Sequence, residues 1–246
     1  MSYRLLFKYT SRSRPRRFIE GLESITSMVS DKENYTILCS LDEDDTTMNT
    51  LAMQEEIGRF PKTFIQYGTS KSKIDAINRD MDAVKDWDIL VVMSDDMRFT
   101  AYGFDQLIRE GMAHNFPDLD GFLHYPDTTA RHALATMSIM GRKYYELDNY
   151  IYNPAYLSLF CDNEAMEVAQ IRRKYLYMGI PIIDHQHPAY GGYEWDEQYR
   201  VQQNLWNVDE ATFKERKRKM FDLYGPTPVI NTDSDDSREG RAILET

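Results

Sequence analysis

Two adjacent carboxylates, Asp95 and Asp96, follow an apolar run that extends from Ile89 to Met93 and ends at Ser94. An apolar run of this length, bounded by polar residues, is typical of a strand buried on both faces. In open α/β sheets, ligands bind just beyond the carboxyl ends of such strands. Because buried charges are costly unless they are paired, we expect a metal ion that carries a phosphate-bearing ligand there. The alternative is a strand-end turn in which both aspartates only cap the next segment.

Strand and helix patterns alternate through the part of the chain that precedes these carboxylates. Strands are predicted at 3–9, 35–41, 63–67 and 88–93, and helices at 15–29, 51–60 and 72–84. Pro15 opens the first helix, in which apolar residues recur at three-to-four spacing. This alternation predicts a parallel sheet with right-handed crossovers, whose strand ends carry the polar groups.

The second half of the chain is less regular. Strands are predicted at 120–125, 134–140 and 180–183, and helices at 164–177 and 196–223. Beyond Pro226 and Pro228 the sequence becomes polar and acidic, which predicts a disordered tail over 231–246.

Composition narrows the class of protein. The chain has 246 residues, of which 42% are hydrophobic, enough for one sizeable core. Lys plus Arg is 29 against 40 Asp plus Glu, and this net charge of −11 argues against nonspecific binding to duplex DNA. Cys39 and Cys161 lie in apolar runs, so buried free thiols are expected. No apolar stretch reaches the roughly 18 residues of a membrane span, and we expect a soluble, cytoplasmic protein.

Four polar motifs occur along the chain in a recognisable order. A Ser-Arg loop at 11–15 follows the first strand, an acidic loop at 42–45 follows the second, and a Gly-Thr-Ser-Lys segment opens 68–78 after the third. The fourth motif is Ser94-Asp95-Asp96, a variant of the DXD motif. Together they resemble the inverting GT-A glycosyltransferases of the family 2 kind, which use nucleotide-diphosphate sugars. The resemblance extends from about Tyr3 to His187.

The resemblance implies an α/β fold of the GT-A (Rossmann-like) type, with a mixed, mostly parallel sheet flanked by helices. We expect a single domain over residues 1–230. Residues 1–97 would form the half that binds the nucleotide sugar, and residues 98–230 the half that binds the acceptor.

The acidic loop is where the resemblance implies recognition of the base. Asp42, Asp44 or Asp45 is expected to accept a hydrogen bond from a uracil N–H or a similar base edge, so a UDP-sugar is the expected donor. A solvated acidic turn is the alternative.

Other donor contacts are expected from the Ser-Arg loop and from the helix after Gly68. Lys73 is expected to meet phosphate and Asn78 the base or ribose, unless both lie on an exposed helix face. Arg12 and Arg14 are expected to reach phosphate or base, although such a loop is often only surface.

By resemblance, Asp95 meets the ribose hydroxyls and Asp96 ligates Mn²⁺ or Mg²⁺, which offsets the pyrophosphate charge. A late histidine, His185 or His187, would complete the metal shell. On an extended segment these two residues point the same way. The alternatives are two ordinary loop histidines, or the His-x-His pair of a zinc hydrolase.

An inverting transfer needs a general base that removes the proton of the acceptor hydroxyl. The resemblance implies a carboxylate at the start of a helix in the second half. Asp162 is assigned this role, with Glu164 as the alternative. The family more commonly has Glu-Asp where this chain has Cys161-Asp162. Asp162 as a helix N-cap is a further interpretation, and it is compatible with the first because the helix N-terminus favours anionic charge.

The sequence therefore predicts a metal-dependent glycosyltransferase that moves a sugar from a nucleotide-diphosphate donor to an acceptor hydroxyl with inversion. Retaining chemistry stays open because it does not require the Asp162 base. A nucleotidyltransferase of the same fold would normally show a Gly-rich loop after the first strand, and Thr10 to Arg14 contain no glycine. A sugar-nucleotide-binding module without catalysis is another alternative. The sequence does not distinguish among glycan, protein, lipid-linked and modified nucleic acid acceptors. We expect no integral membrane association of the protein.

Overall fold

The computed structural model of the chain describes residues 3–128, 130–191 and 193–224. The predicted acidic tail at 231–246 lies outside these residues. None of the helices in the described ranges has the length and apolar character needed to cross a membrane. Cys39 and Cys161 are both buried free thiols, as the sequence predicted.

The elements follow one another in the α/β order that the sequence pattern indicates. The strands are β1 (Leu5–Ser11), β2 (Tyr35–Asp42), β3 (Thr63–Gly68), β4 (Ile89–Ser94), β5 (Met97–Phe99), β6 (Phe122–His124), β7 (Ile139–Gly141), β8 (Tyr175–Tyr177) and β9 (Ile183–His185). The helices are α1 (Pro15–Met28), α2 (Leu51–Ile57), α3 (Lys73–Asn78), α4 (Phe104–Asn115), α5 (Arg142–Tyr145), α6 (Cys161–Ile171), α7 (Glu197–Asn204) and α8 (Trp206–Arg218).

Seven strands form one mixed sheet in the order β3-β2-β1-β4-β7-β6-β8. The first four strands of this order are parallel, β7 is antiparallel to both of its neighbours, and β6 is parallel to β8. Strands β5 and β9 form a separate antiparallel pair. The expected α/β fold with a mixed, mostly parallel sheet is confirmed.

Both faces of the central sheet are covered by helices. Side chains of β1 alternate between the two faces, so that Leu5 and Phe7 join one hydrophobic core and Leu6 joins the other. Helices α1 and α4 pack on the first face, and α3 and α6 pack on the second. Burial on both faces explains the continuous apolar run of β4.

Helix α3 is shorter than the sequence predicted. The prediction extended it from Ser72 to about Val84, but it ends at Asn78. Arg79 is extended and Asp80 has a left-handed φ of 65°, so the helix cannot continue through them.

Four predictions in the second half were wrong in their boundaries. The strand predicted at 134–140 is reduced to Ile139–Gly141. The helix predicted at 164–177 is divided into α6 and strand β8, because Arg173 has a φ of 58° and Tyr175–Tyr177 pair with β6. The helix predicted at 196–223 is divided into α7 and α8 at Leu205. The strand predicted at 180–183 instead occupies Ile183–His185, where it pairs with β5.

Candidate functional site

Two adjoining cavities open where the parallel strands β1, β2 and β4 end. The first cavity, of about 380 Å³, is lined by the loops after β1 and β2, the start of α3 and the inner side of α7. The second cavity, of about 410 Å³, extends toward the start of α6 and the histidines after β9. Residues that line both cavities form their junction: Thr10, Lys73, Ser94, Asp96, Ser158 and Gln202.

Arg12 joins the Ser-Arg loop to the acidic loop in the first cavity. Its guanidinium donates a 2.8 Å hydrogen bond to Oδ2 of Asp42 and two more, of 2.7 and 2.9 Å, to Asp44. The other oxygen of Asp42, Oδ1, lies 3.9 Å from Arg79 and is buried without a hydrogen bond in the described part of the chain. Asp42 therefore has one oxygen that accepts no hydrogen bond in these residues, and such an acceptor beside arginine side chains suits a nucleobase edge.

Asp45 has a different role from its neighbours and does not line either cavity. One carboxylate oxygen accepts a 2.6 Å hydrogen bond from the backbone N–H of Ser13, and the other accepts from Thr47 and from the N–H of Met48. Burial opposes the charge, but these hydrogen bonds outweigh it and lower the pKa of Asp45. Asp45 holds two loops together, so its predicted contact with the base is not supported by its position.

Asp95 lines the first cavity, with both of its oxygens already engaged. Oδ2 accepts a 2.6 Å hydrogen bond from the hydroxyl of Ser11, and Oδ1 accepts a 2.9 Å bond from Arg14. Arg14 also forms a paired contact with Asp196, at 2.7 and 2.5 Å. Burial raises the pKa of Asp95. A ribose hydroxyl would reach Asp95 only by sharing or replacing one of these partners.

The β5–β9 pair brings Asp96 and His185 together. Met97 and His185 are paired across the two strands, and the N–H of Gln186 donates to the carbonyl of Asp96 at 2.7 Å. Nε2 of His185 lies 3.5 Å from Oδ2 of Asp96, and Nδ1 lies 3.2 Å from Oδ2 of Asp127. Burial opposes protonation, but the two carboxylates raise the pKa of His185 to about 9.

Asp127 is a site residue that the sequence reasoning missed. It is 1% exposed and accepts a 2.9 Å hydrogen bond from Thr136 through the same oxygen that faces His185. A carboxylate behind a histidine fixes the orientation of the ring, which is the usual arrangement around a metal-ligating imidazole. Asp127 lies 58 residues from His185 in sequence, so no local motif links the two.

Asp96 at the junction and His185 beside it fit a divalent cation only if a ligand contributes. Within residues 3–128, 130–191 and 193–224, no group of three or more His, Cys, Asp or Glu side chains is arranged to hold a metal. However, Oδ1 of Asp96 is buried and makes no hydrogen bond in these ranges. Mg²⁺ and similar cations are commonly bound by one or two carboxylates together with phosphate oxygens. Asp96 and His185 fit this incomplete type of site.

His187 lines the second cavity. Its Nδ1 accepts a 3.2 Å hydrogen bond from the N–H of Ala189, and its ring lies 4.8 Å from that of Tyr199. Burial lowers the pKa of His187 to about 4, so the ring is neutral at physiological pH. The two histidine rings are 5.6 Å apart, and His185 is the one that faces Asp96.

The second cavity contains the carboxylate assigned as general base. Asp162 lies in the first turn of α6, where one oxygen accepts a 3.0 Å hydrogen bond from the N–H of Asn163. Burial raises the pKa of Asp162, which makes it a better proton acceptor than an exposed aspartate. Phe160 and Trp206, whose rings are 4.8 Å apart, line the same cavity.

Glu164 lies outside both cavities. Its carboxylate accepts hydrogen bonds of 2.8 and 2.9 Å from Arg216 and one of 2.7 Å from the hydroxyl of Tyr156. It is 3% exposed, so this ion pair holds α6 against α8 in the protein interior. The structure therefore gives Glu164 a packing role and leaves Asp162 as the carboxylate that faces the second cavity.

Lys73 and Asn78 were both predicted to contact the donor, but only Lys73 lines the cavities. Lys73, the first residue of α3, lies at the junction of the cavities. The side chain of Asn78 accepts from the N–H groups of Ile151 and Tyr152 and donates to the carbonyl of Tyr152 at 2.7 Å. Asn78 lines neither cavity and holds the turn at 151–152, so its predicted contact with the base or ribose is not supported.

Helix α7 covers the first cavity through Gln198, Val201 and Gln202, together with Leu205 just after the helix. Tyr199 attaches this helix to the site, because its hydroxyl donates to Asp96 and its ring lies 3.9 Å from the guanidinium of Arg14. Sequence reasoning predicted the helix but gave no role to Tyr199.

Comparison with solved structures identifies the fold of the chain. No protein-family model matches the chain, and no curated protein matches it in sequence. Among solved structures, the chain is similar to the mannosyltransferase PcManGT from Pyrobaculum calidifontis, in complex with GDP-mannose and Mn²⁺, with a TM-score of 0.62 at 12% identity. That match covers 88% of this chain and 65% of the mannosyltransferase. A second match, to residues 1–349 of S. aureus TarS, has a TM-score of 0.55 at 9% identity and covers 90% of this chain and 75% of TarS. The chain has the GT-A-like fold of glycosyltransferases.

Proposed function

We propose that this protein is a metal-dependent glycosyltransferase that moves a sugar from a nucleotide-diphosphate donor to an acceptor hydroxyl. The observation that carries the proposal is the pair of cavities joined at Asp96 and Lys73. A nucleotide sugar has three parts, a nucleoside, a charged diphosphate and a sugar, which would occupy the first cavity, the junction and the second cavity. The GDP-mannose and Mn²⁺ bound by the similar mannosyltransferase support this assignment.

The first cavity is assigned to the nucleoside. Oδ1 of Asp42 lacks a hydrogen-bond donor in the described part of the chain, and Arg12 lies beside it. Uracil and guanine both present an N–H next to a carbonyl, which matches this acceptor and this donor. The charged lining comes from residues 12–96, which belong to the half proposed to bind the nucleotide, while the 157–158 loop and α7 cover the cavity.

The junction is assigned to the diphosphate. Lys73 contributes a positive charge, and Asp96 with His185 would hold Mn²⁺ or Mg²⁺. The cation would neutralise the charge that develops on the departing nucleoside diphosphate. Asp127 keeps Nδ1 of His185 engaged, so that Nε2 is the ring nitrogen that faces Asp96. His187 is then left to the wall of the second cavity.

The second cavity is assigned to the transferred sugar and the incoming acceptor. Asp162 would take the proton of the acceptor hydroxyl as its oxygen attacks the anomeric carbon. The bond from that carbon to the diphosphate oxygen breaks, and the nucleoside diphosphate leaves with inversion at the carbon. Phe160 and Trp206 supply aromatic surfaces with which sugar faces pack well.

Nucleotide release tests this function without knowledge of the acceptor. Wild type would be incubated with UDP-, GDP-, CDP- and dTDP-sugars, with and without Mn²⁺, beside Asp96→Ala and the exposed control Asp82→Ala. We expect slow, Mn²⁺-dependent hydrolysis of one donor class that Asp96→Ala abolishes and Asp82→Ala retains. Binding of a donor without any release would favour a non-catalytic binding module. No release and no binding of any donor would contradict the proposal.

A further inference from the structure

The hydroxyl of Ser158 is a buried polar group at the junction of the two cavities. Ser158 is 4% exposed, and its Oγ has no hydrogen-bond partner within the described residues. It lines both cavities together with Lys73 and Asp96. Buried hydroxyls are almost always hydrogen-bonded in native proteins, so an unpaired one in a residue that borders a cavity is available to a ligand.

The backbone around Ser158 is held by a carboxylate from another element. Asp209 of α8 is fully buried and accepts three backbone hydrogen bonds, from Leu157 at 2.9 Å and from Ser158 and Leu159 at 2.8 Å. No cavity described above is lined by Asp209 itself. Its three bonds fix the loop that presents the Ser158 hydroxyl, although the two residues are 51 positions apart.

The same loop is joined to the helix that carries Lys73. The carbonyl of Leu157 accepts a 3.4 Å hydrogen bond from the N–H of Ile74 in α3. After the loop, Phe160 adopts a left-handed φ of 60° at the entry to α6, a conformation that a non-glycine residue adopts only where its surroundings impose it. The loop is therefore fixed at both ends, which holds the backbone of Ser158 in place relative to α3.

We propose that Ser158 donates a hydrogen bond to the distal phosphate of the donor's diphosphate, and that Asp209 is the positioning residue for this contact. The inference rests on the proposed function and adds a diphosphate-binding residue to it. A hydroxyl that is free of other partners turns readily toward an anionic oxygen, and such charge-assisted bonds are stronger than neutral ones. The nearby cationic Lys73 makes the junction the place where an anionic group is favoured.

The test compares nucleoside diphosphate with monophosphate. Wild type, Ser158→Ala and the control Ser138→Ala would be titrated calorimetrically, with Mn²⁺, against GDP, UDP, CDP and dTDP and the matching monophosphates. Ser138 is a matched control because it is buried outside both cavities, with its hydroxyl donating to Tyr152. For the best-bound nucleotide, we expect Ser158→Ala to weaken diphosphate binding about tenfold while monophosphate binding stays near that of wild type. Ser138→Ala is expected to change neither.

A double-mutant cycle tests the role of Asp209. We expect Asp209→Asn to cause the same selective loss of diphosphate affinity, and the Ser158→Ala/Asp209→Asn double variant to lose little more than either single variant. A purely structural role would weaken both nucleotides equally and additively, and would overturn the positioning role.

The outcomes separate the two proposals. If wild type binds a diphosphate and Ser158→Ala binds it equally well, or loses both nucleotides equally, the Ser158 contact is wrong while the proposed function stands. If wild type binds no nucleotide at all, the proposed function fails and this inference fails with it. The Ser158→Ala result decides the contact even if Asp209→Asn does not fold.

Discussion

The hydroxyl of Tyr199 donates a hydrogen bond of 3.0 Å to Oδ2 of Asp96, across 103 residues of sequence. Asp96 is the carboxylate that the proposed function assigns to the metal, and Tyr199 belongs to the helix that covers the first cavity. Arg14 reinforces the link, because it lies over the ring of Tyr199 and pairs with Asp196 at the start of α7. The helix that covers the first cavity is thus attached directly to Asp96, to which the proposed function assigns the cation.

Removal of this hydroxyl is expected to loosen α7. A hydrogen bond to a charged group contributes about 1.5–3 kcal/mol, so Tyr199→Phe is expected to speed amide hydrogen exchange in 197–204 by about tenfold or more. The matched control is Tyr67→Phe, which removes another 3.0 Å hydroxyl bond, to the carbonyl of Met48, in a residue that lines neither cavity. Equal exchange of α7 in wild type and Tyr199→Phe would show that the bond does not hold the helix.

Asp162 and Glu164 are expected to respond oppositely to loss of charge. Asp162→Asn is expected to slow nucleotide release from the preferred donor by about 10²–10⁴-fold, because the general base is lost. Its free energy of unfolding is expected to change little or to rise, since burial already disfavours the charged form. Turnover by Asp162→Asn at the wild-type rate would contradict the inverting assignment and favour retaining chemistry.

Glu164→Gln is the matched control two residues away. It is expected to keep turnover near that of wild type but to lower the free energy of unfolding by about 1–3 kcal/mol, measured by urea denaturation. This loss is below that of a fully buried pair because the Arg216 side chain is 17% exposed and also pairs with Asp222. A large loss of turnover with unchanged stability would place Glu164 in the chemistry instead.

Asp45 is expected to make stability depend on pH. The pKa of Asp45 is lowered in the folded state. The stability that its charge contributes is therefore fully present above the unfolded-state pKa of about 3.9, and it is lost as the pH falls through the folded-state pKa. At pH 7, Asp45→Asn is expected to cost about 1–3 kcal/mol of unfolding free energy, and the difference from wild type is expected to shrink below about pH 4. Urea denaturation from pH 7 to 2 measures this difference in unfolding free energy, with the exposed Asp82→Asn as control. A difference that stays constant over this range would exclude a role for the Asp45 charge.

Local sequence patterns predicted the first half of the fold well. The strand ending at Ser94 was found because an apolar run buried on both faces differs clearly from its polar flanks, and Pro15 marked the start of α1 correctly. The same patterns failed where a single residue breaks a helix. The left-handed Arg173 allows β8 to follow α6 directly, although the amphipathic spacing continues past it.

The parts of the site that sequence missed depend on contacts between distant segments. Asp127 meets His185 across 58 residues, and Asp209 meets Ser158 across 51. Such side-chain contacts leave no periodic trace in the sequence. Asn78 was assigned to the donor from its place in a motif, but its partners at 151–152 become visible only in the fold.

The position of the bound cation is the sharpest test of the proposed metal-dependent glycosyltransferase function. A crystal grown with Mn²⁺ and the best-bound nucleoside diphosphate would be measured for the anomalous scattering of manganese. We predict one anomalous peak in contact with Asp96 and Nε2 of His185, with the base beside Asp42 and Arg12. A manganese peak away from Asp96, or a nucleotide bound outside the first cavity, would contradict it.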